Sequence, residues 1–237
     1  MPRLPIPAET AWLSDRFTRT PITGVILSFH GLGAPGLKSA AEMDELAWAA
    51  AGGLVVFPYY GPWSWMNRNA RAFVDDLVTA VYQQFSLPPA TPLVAIGGSM
   101  GGYSALLYTR YAKHKIAACC AMFPVCDLKH HFSERPDLPR TIHDAFRGYS
   151  EDMETLFIEH SPLAQAGGMP DIPYLIAHGD KDLAVNKAAH SDKMVAALRQ
   201  HGRQVEYVEV PGMGHGENTP LALLIKRIEF VKRFLKA

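Results

Sequence analysis

Short apolar runs alternate with longer stretches of helical periodicity along most of this chain, and that alternation restricts the possible folds more than any other feature. Runs at 25–29, 54–57, 93–96, 116–123 and 174–177 have the length and bounding turn residues of strands buried on both faces. Between them lie helical patterns at 39–51, 69–85 and 101–111. The first carries Met43, Leu46, Ala47 and Ala50 at i, i+3, i+4, i+7 and stops at Gly52-Gly53; the second stacks Phe73, Leu77 and Val81. The pattern predicts an α/β protein with a mostly parallel, six- to seven-stranded sheet and helices on both faces. Val205 to Val210 partly alternates in polarity, as an outer strand with one wet face does. The last helix sets Leu221, Leu224, Ile225, Ile228 and Leu235 on one side, which predicts a docked amphipathic helix. A length of 237 residues fits one domain. Residues 127–168 lack a strong strand, are rich in His, Arg, Asp and Glu, and show weak helical patterns at 142–146 and 153–158. Such a segment is too long for a simple connection and predicts a small helical cap insertion.

Gly97-Gly98-Ser99-Met100-Gly101 follows the run at 93–96 directly and opens the next helix. A sharp strand-to-helix turn forces the serine backbone into strain and lifts its hydroxyl to the sheet's C-terminal edge. Flanking glycines are required because a Cβ there would strike the neighbouring helix or strand. Ser99 is therefore the candidate nucleophile. Acyl-transfer chemistry also needs two N–H donors aimed at the carbonyl oxygen as it becomes negative. Met100, just after the nucleophile, supplies one; the glycine-rich loop His30-Gly31-Leu32-Gly33 can supply the other from Leu32. His30 itself reads as a brace for that loop.

Pro211-Gly212-Met213-Gly214-His215-Gly216 follows Val205 to Val210, and its glycines leave an imidazole free to reach the nucleophile. Among ten histidines, His215 alone sits in a post-strand loop in the order serine, acid, histidine that this architecture uses. Two carboxylates compete for the acid, both in His178-Gly179-Asp180-Lys181-Asp182. Asp182 lies deeper in the loop and is favoured, with Asp180 as a loop-structuring residue and His178 as a support for the same loop.

At these motifs the sequence resembles the α/β-hydrolase superfamily, in its prolyl-oligopeptidase-like and dienelactone-hydrolase-like branch. The resemblance runs from about Gly24 onward. It is strongest in His178-Gly179-Asp180-Lys181-Asp182-Leu183-Ala184-Val185 and Pro211-Gly212-Met213-Gly214-His215, which match the branch's H-G-x-x-D-x-x-V and P-G-x-G-H. It implies Asp182 as the acid and Leu32 and Met100 as oxyanion donors. Only about 20 residues precede the first clear strand, so one or both N-terminal strands of the family sheet are expected to be missing or rudimentary, and no accessory propeller is expected. Dienelactone hydrolases generally use cysteine where this chain has Ser99, so their substrate does not carry over.

Composition narrows the substrate and setting. Lys plus Arg and Asp plus Glu are 23 each, so no net field draws nucleic acid or an anionic membrane. Three cysteines, two of them adjacent (Cys119 and Cys120), read as buried thiols of a reducing compartment. Residues 1–7 hold three prolines and no signal-like apolar core, and no run is long enough to span a bilayer, so the reading is soluble and cytoplasmic. No metal-ligand spacing, phosphate loop or dinucleotide fingerprint occurs, and the chemistry calls for no cofactor. Tyr59, Tyr60, Trp63 and Trp65 follow the second strand and are candidates to line a substrate pocket. The expectation is a serine esterase for small neutral acyl esters. A peptidase for short peptides and a ligand-sensing protein of the same fold are the alternatives. Oligomeric state is not readable from the residues.

Overall fold

The computed structural model describes residues 6–7 and 9–235, so most of the proline-rich start lies outside the described residues. Seven strands form one sheet: β1 (Ala11–Leu13), β2 (Gly24–Phe29), β3 (Gly53–Pro58), β4 (Leu93–Gly98), β5 (Ile116–Met122), β6 (Tyr174–Gly179) and β7 (Val205–Val210). Their order is β1-β3-β2-β4-β5-β6-β7. β1 is antiparallel to β3, and all other neighbours are parallel. β1 shows no period of its own. Pairing with Val56, Phe57 and Pro58 is what makes these three residues a strand.

Successive residues of the central strands face opposite layers. Val25, Leu27, Leu93, Ala95 and Cys119 meet α2 (Arg68–Gln84), α3 (Met100–Tyr111) and α7 (Lys193–Gln200). Ile26, Val94, Ile96 and Cys120 meet α1 (Met43–Ala50) and α8 (Leu221–Lys232). The adjacent cysteines thus separate across the sheet, and all three thiols are free and buried. No described helix is long and apolar enough to cross a membrane.

α1 presents a different face from the one its apolar period predicts, and α8 follows its expected face only in part. Met43 and Leu46 are 69% and 43% exposed, whereas Asp44, Glu45, Trp48 and Ala49 are buried. Charge pairing reverses the expected face: Arg227 Nη1 lies 2.7 Å from Asp44 Oδ2, and Lys38 Nζ lies 2.5 Å from Glu45 Oε2. Trp48 adds its apolar ring and donates Nε1–H to the Ile228 carbonyl of α8 at 3.2 Å. On α8 the buried side is Leu223, Phe230 and Val231, while Leu221 and Ile225 face outward; of the expected stripe, Ile228 packs against the core and Leu235, just beyond the helix, is buried. A helix turns roughly 100° per residue, so choosing the stripe one position over rotates the buried face by that angle.

The connection from β5 to β6 contains α4 (Leu128–Phe132), α5 (Leu138–Ala145) and α6 (Met153–His160). Asp127 and Asp152 cap α4 and α6 by accepting from the His130 and Thr155 N–H groups. Five-residue α4 is too short to show a period, so the sequence does not reveal it. Leu128, Leu138, Ile142, Phe146 and Leu156 join the core on the α2–α3 side of the sheet. Polar contacts pin the segment: Trp65 Nε1–H donates to Thr141 Oγ1 at 3.1 Å, and Asn67 Nδ2–H to the Ala145 carbonyl at 2.6 Å. Glu159 pairs with Arg68, and with Arg71 at 2.7 Å.

Within that segment His160 is fully buried against the Phe146 and Tyr149 rings and makes no hydrogen bond through either ring nitrogen among the described residues. Glu159 Oε1 lies 3.4 Å from Nε2 but out of line. Burial, followed by the Arg71 charge, pushes its pKa down to about 3. A depressed folded pKa means that the neutral ring stabilises the fold fully above its unfolded pKa near 6.5. That contribution is lost as pH falls from there toward the folded value. The melting temperature is therefore expected to drop between about pH 6.5 and 4.5, before the carboxylates titrate. His160→Phe should flatten that slope, and an unchanged slope in thermal melts across this range would contradict the account.

Candidate active site

The parallel strands all point their C-terminal ends to one edge, and the candidate residues converge there. β4 ends at Gly97-Gly98, and Ser99 turns the chain into α3 with φ 57° and ψ −126°. A non-glycine residue in such a conformation costs on the order of 1–3 kcal/mol and persists only when its surroundings fix it. The Ser99 N–H donates to the Met122 carbonyl at 2.9 Å, and its own carbonyl accepts from Tyr103 N–H at 3.0 Å. Close approach explains the glycines: a Cβ on Gly101 would lie 2.2 Å from the Phe29 carbonyl oxygen, and one on Gly97 2.3 Å from that of Gly101.

Ser99 Oγ lies 2.8 Å from His215 Nε2, and His215 Nδ1 lies 2.8 Å from Asp182 Oδ2. Asp182 is enclosed, and its Oδ1 accepts the Ala184 and Val185 N–H groups at 2.9 Å each. Burial by itself would raise this carboxyl. Hydrogen bonds from His178, His215 and the Val185 backbone outweigh it and hold the group well below the usual carboxylate range. A carboxylate here requires a proton on His215 Nδ1, which leaves the Nε2 lone pair facing the Ser99 hydroxyl. The Phe123 ring, edge-on at 5.0 Å, backs the imidazole.

His178 belongs to this group, beyond the loop support read from the sequence. Its Nε2 lies 3.1 Å from both Asp182 Oδ2 and the Val185 carbonyl, two acceptors, so Nε2 carries the proton. Its Nδ1 then accepts the Ser191 hydroxyl at 2.6 Å. The cue was present in the His-to-Asp spacing of four residues, but only the fold shows both imidazoles on one oxygen. Asp180 lies outside this chain; its Oδ1 accepts the Gly212 N–H at 2.7 Å and ties the two loops together.

The cleft around Ser99 has a volume of about 610 Å³, and Leu32 lies in its wall. Met100 opens α3, where a backbone N–H has no acceptor within the helix. His30 is buried, with Nδ1 2.9 Å from the Gly31 carbonyl and its ring stacked on Tyr60 at 4.3 Å. Burial lowers its pKa, the Gly31 contact offsetting part of the shift. The four aromatic candidates are displaced from the cleft wall. Trp65 is buried edge-on to Tyr103, Trp63 donates its Nε1–H to Asp144 at 2.9 Å, Tyr59 reaches toward the Ala34 carbonyl, and Tyr60 packs behind His30. Their rings pack against the His30 loop and the β5–β6 segment.

Three potential metal ligands meet elsewhere, His130, Glu134 and His190. His190 Nδ1 accepts the N–H groups of Cys126 at 3.0 Å and Asp127 at 3.1 Å, so its proton sits on Nε2, directed at Glu134 Oε2 2.9 Å away. Ligation through Nε2 would require that proton on Nδ1, facing two donors. The cluster is a hydrogen-bonded pin. Glu134 also accepts the Asn186 N–H at 3.0 Å, which joins the β5–β6 segment to the loop carrying Asp182.

A profile of the prolyl oligopeptidase family matches residues 64–237. No curated protein matches the chain. Among solved structures, a puromycin-hydrolyzing peptidase of Mycobacterium tuberculosis aligns at 19% identity and TM-score 0.72, covering 90% of this chain and 34% of its own. A puromycin hydrolase aligns at 19% identity and TM-score 0.75, covering 91% and 34%. The acylaminoacyl peptidase of Pyrococcus horikoshii aligns at 17% and 0.75, covering 95% and 39%. The chain thus spans between a third and two fifths of these proteins' length, and the likeness establishes the α/β-hydrolase fold.

The hydrogen bonds separate the residues of the Asp182 loop by function. Asp182→Asn should leave His215 in the wrong tautomer and lower turnover by roughly a thousandfold or more, whereas Asp180→Asn should cost far less. His178→Phe removes one charge-assisted hydrogen bond and should lower kcat by about ten- to a hundredfold. Steady-state rates on one activated substrate rank the three variants, and a larger loss from Asp180→Asn than from Asp182→Asn would reverse the assignment.

Proposed function

The chain belongs to the prolyl oligopeptidase family and is a serine hydrolase of the α/β-hydrolase fold, and from that premise we propose that it cleaves short peptides or aminoacyl amides through Ser99, His215 and Asp182. The observation that carries the proposal is the unbroken sequence of 2.8 Å contacts from Ser99 Oγ through His215 to Asp182, inside an open cleft. The expectation of small neutral esters finds no support in these likenesses, whose named activities are those of peptidases and puromycin hydrolases.

In this reading His215 Nε2 takes the Ser99 proton as Oγ attacks the scissile carbonyl. The N–H groups of Leu32 and Met100 receive the developing oxyanion. Asp182 holds the imidazolium in place, and Nε2 then hands the proton to the leaving amine. That transfer matters more for an amide than for an ester, because an unprotonated amine is a very poor leaving group. Water, deprotonated by His215, releases the acyl group from Ser99.

Matched acyl-aminoacyl nitroanilides and nitrophenyl esters test the substrate class. Ser99-dependent amide turnover is expected, with Ser99→Ala keeping its melting temperature and losing several orders of magnitude in rate on both substrates. Ester turnover with no detectable amide turnover would return the protein to the esterases. A stable Ser99→Ala variant of near-normal activity would remove Ser99 as nucleophile.

A further inference from the structure

The chain has no net charge, but the wall of the Ser99 cleft is strongly asymmetric. Lys38, Arg135 and Arg227 line it, and among the described lining residues the only carboxylate is Glu42, which is 70% exposed. Glu42 pairs with Lys38 at 3.3 Å from the rim, while the other carboxylates that pair with these cations, Glu45, Asp44 and Asp137, lie outside the lining. Asp44 and Glu45 are consecutive residues of the first turn of α1, both buried, and α1 turns them inward at the expense of Met43 and Leu46. They pair with Arg227 and Lys38, both of which line the cleft. Lys38 is fixed further, its ammonium 5.3 Å from both the Trp12 and Phe57 rings, and the Arg227 guanidinium lies 5.3 Å over Trp48. Arg135 joins the lining from the loop between α4 and α5, its Nε and Nη2 bonded to Asp137.

An ammonium-bearing substrate would need carboxylates facing it, and this wall offers mainly cationic donors. We propose that the cleft selects substrates carrying a carboxylate near the scissile bond, anchored by Lys38, Arg227 and Arg135. The inference rests on the reading of this cleft as the substrate site. Lys38 and Arg227, held by buried counter-ions, lose little side-chain entropy on binding an anion, which is the condition for a charge-assisted hydrogen bond to add affinity; Arg135 is paired with the surface carboxylate of Asp137. The carboxylate can belong to either side of the scissile bond, as the C-terminus of a short peptide or as an acidic acyl group.

Two pairs of probes, each differing by one carboxylate, separate these sources. One pair is an N-acetyl dipeptide and its C-terminal amide; the other is an N-succinyl aminoacyl nitroanilide and its N-butyryl counterpart. Calorimetric binding to Ser99→Ala should favour the carboxylate in one pair by about tenfold or more, with the preference shrinking as salt is added. Arg135→Gln, whose partner Asp137 is on the surface, should collapse that preference. So should the double variant Lys38→Met with Glu45→Gln, which leaves no buried charge unpaired. Arg147→Gln, at an exposed position outside the cleft, should not. Equal binding within both pairs, or tighter binding of the neutral probes, overturns the inference and shows the cations to be structural ion pairs. A carboxylate preference in binding without turnover by the wild-type enzyme would leave the subsite standing and remove the peptidase reading instead. Turnover of both pairs with no preference would do the opposite.

Discussion

A buried carboxylate cannot remain charged without partners, and Asp182 organises the C-terminal edge of the sheet by collecting them. Its two oxygens take the Ala184 and Val185 N–H groups, the His178 ring and the His215 ring. Losing any one leaves part of a desolvated charge uncompensated, a penalty of several kcal/mol for an unpaired buried ion. The loop after β6 therefore closes on itself, and His215, arriving from the loop after β7, is fixed in ring orientation and tautomer. Ser99 meets that ring because Gly101 lets α3 come within contact of the Phe29 carbonyl of β2. One satisfied charge and one close backbone approach thus set the distances among three residues that lie far apart in the chain.

The same rule, applied to cations, shapes the other side of the cleft. α1 buries Asp44 and Glu45 and leaves Met43 and Leu46 in water, which is unfavourable by hydrophobic transfer alone. Arg227 and Lys38 offset the cost by pairing with those carboxylates, and Trp48 supplies apolar burial on the same face. A helix whose inward face is chosen by ion pairs can hold charged groups at a cleft wall with little freedom to move. That is the setting in which recognition of a charged substrate is economical in entropy.

The β5–β6 segment is bound to the rest of the protein at both ends of its polarity scale. Apolar residues of α4, α5 and α6 enter the main core, while Glu134 and Glu159 carry the ionic contacts to the Asp182 loop and to α2. Arg135, next to Glu134, lines the Ser99 cleft. Its position depends on a carboxylate pinned by His131, His190 and a backbone N–H.

The residues alone determined the fold class, six of the seven strands and the meeting of Ser99, Asp182 and His215. These are written in local signals: apolar runs of strand length, glycines where a turn needs them, and motifs set at strand ends. The tertiary structure decided the rest. β1 exists only by pairing with β3. The inward face of α1 differs from its apolar stripe because Asp44 and Glu45 pair with Arg227 and Lys38, and α8 turns Leu221 and Ile225 outward while Leu223, Phe230 and Val231 are buried. Trp63 and Trp65 brace neighbouring segments away from the cleft wall. His178 shares an oxygen with His215, and the cleft is cationic in a chain of zero net charge. Most of these deciding interactions join residues remote in sequence, as Arg227 with Asp44, Trp65 with Thr141 and His215 with Asp182, and no short window along the chain contains both members.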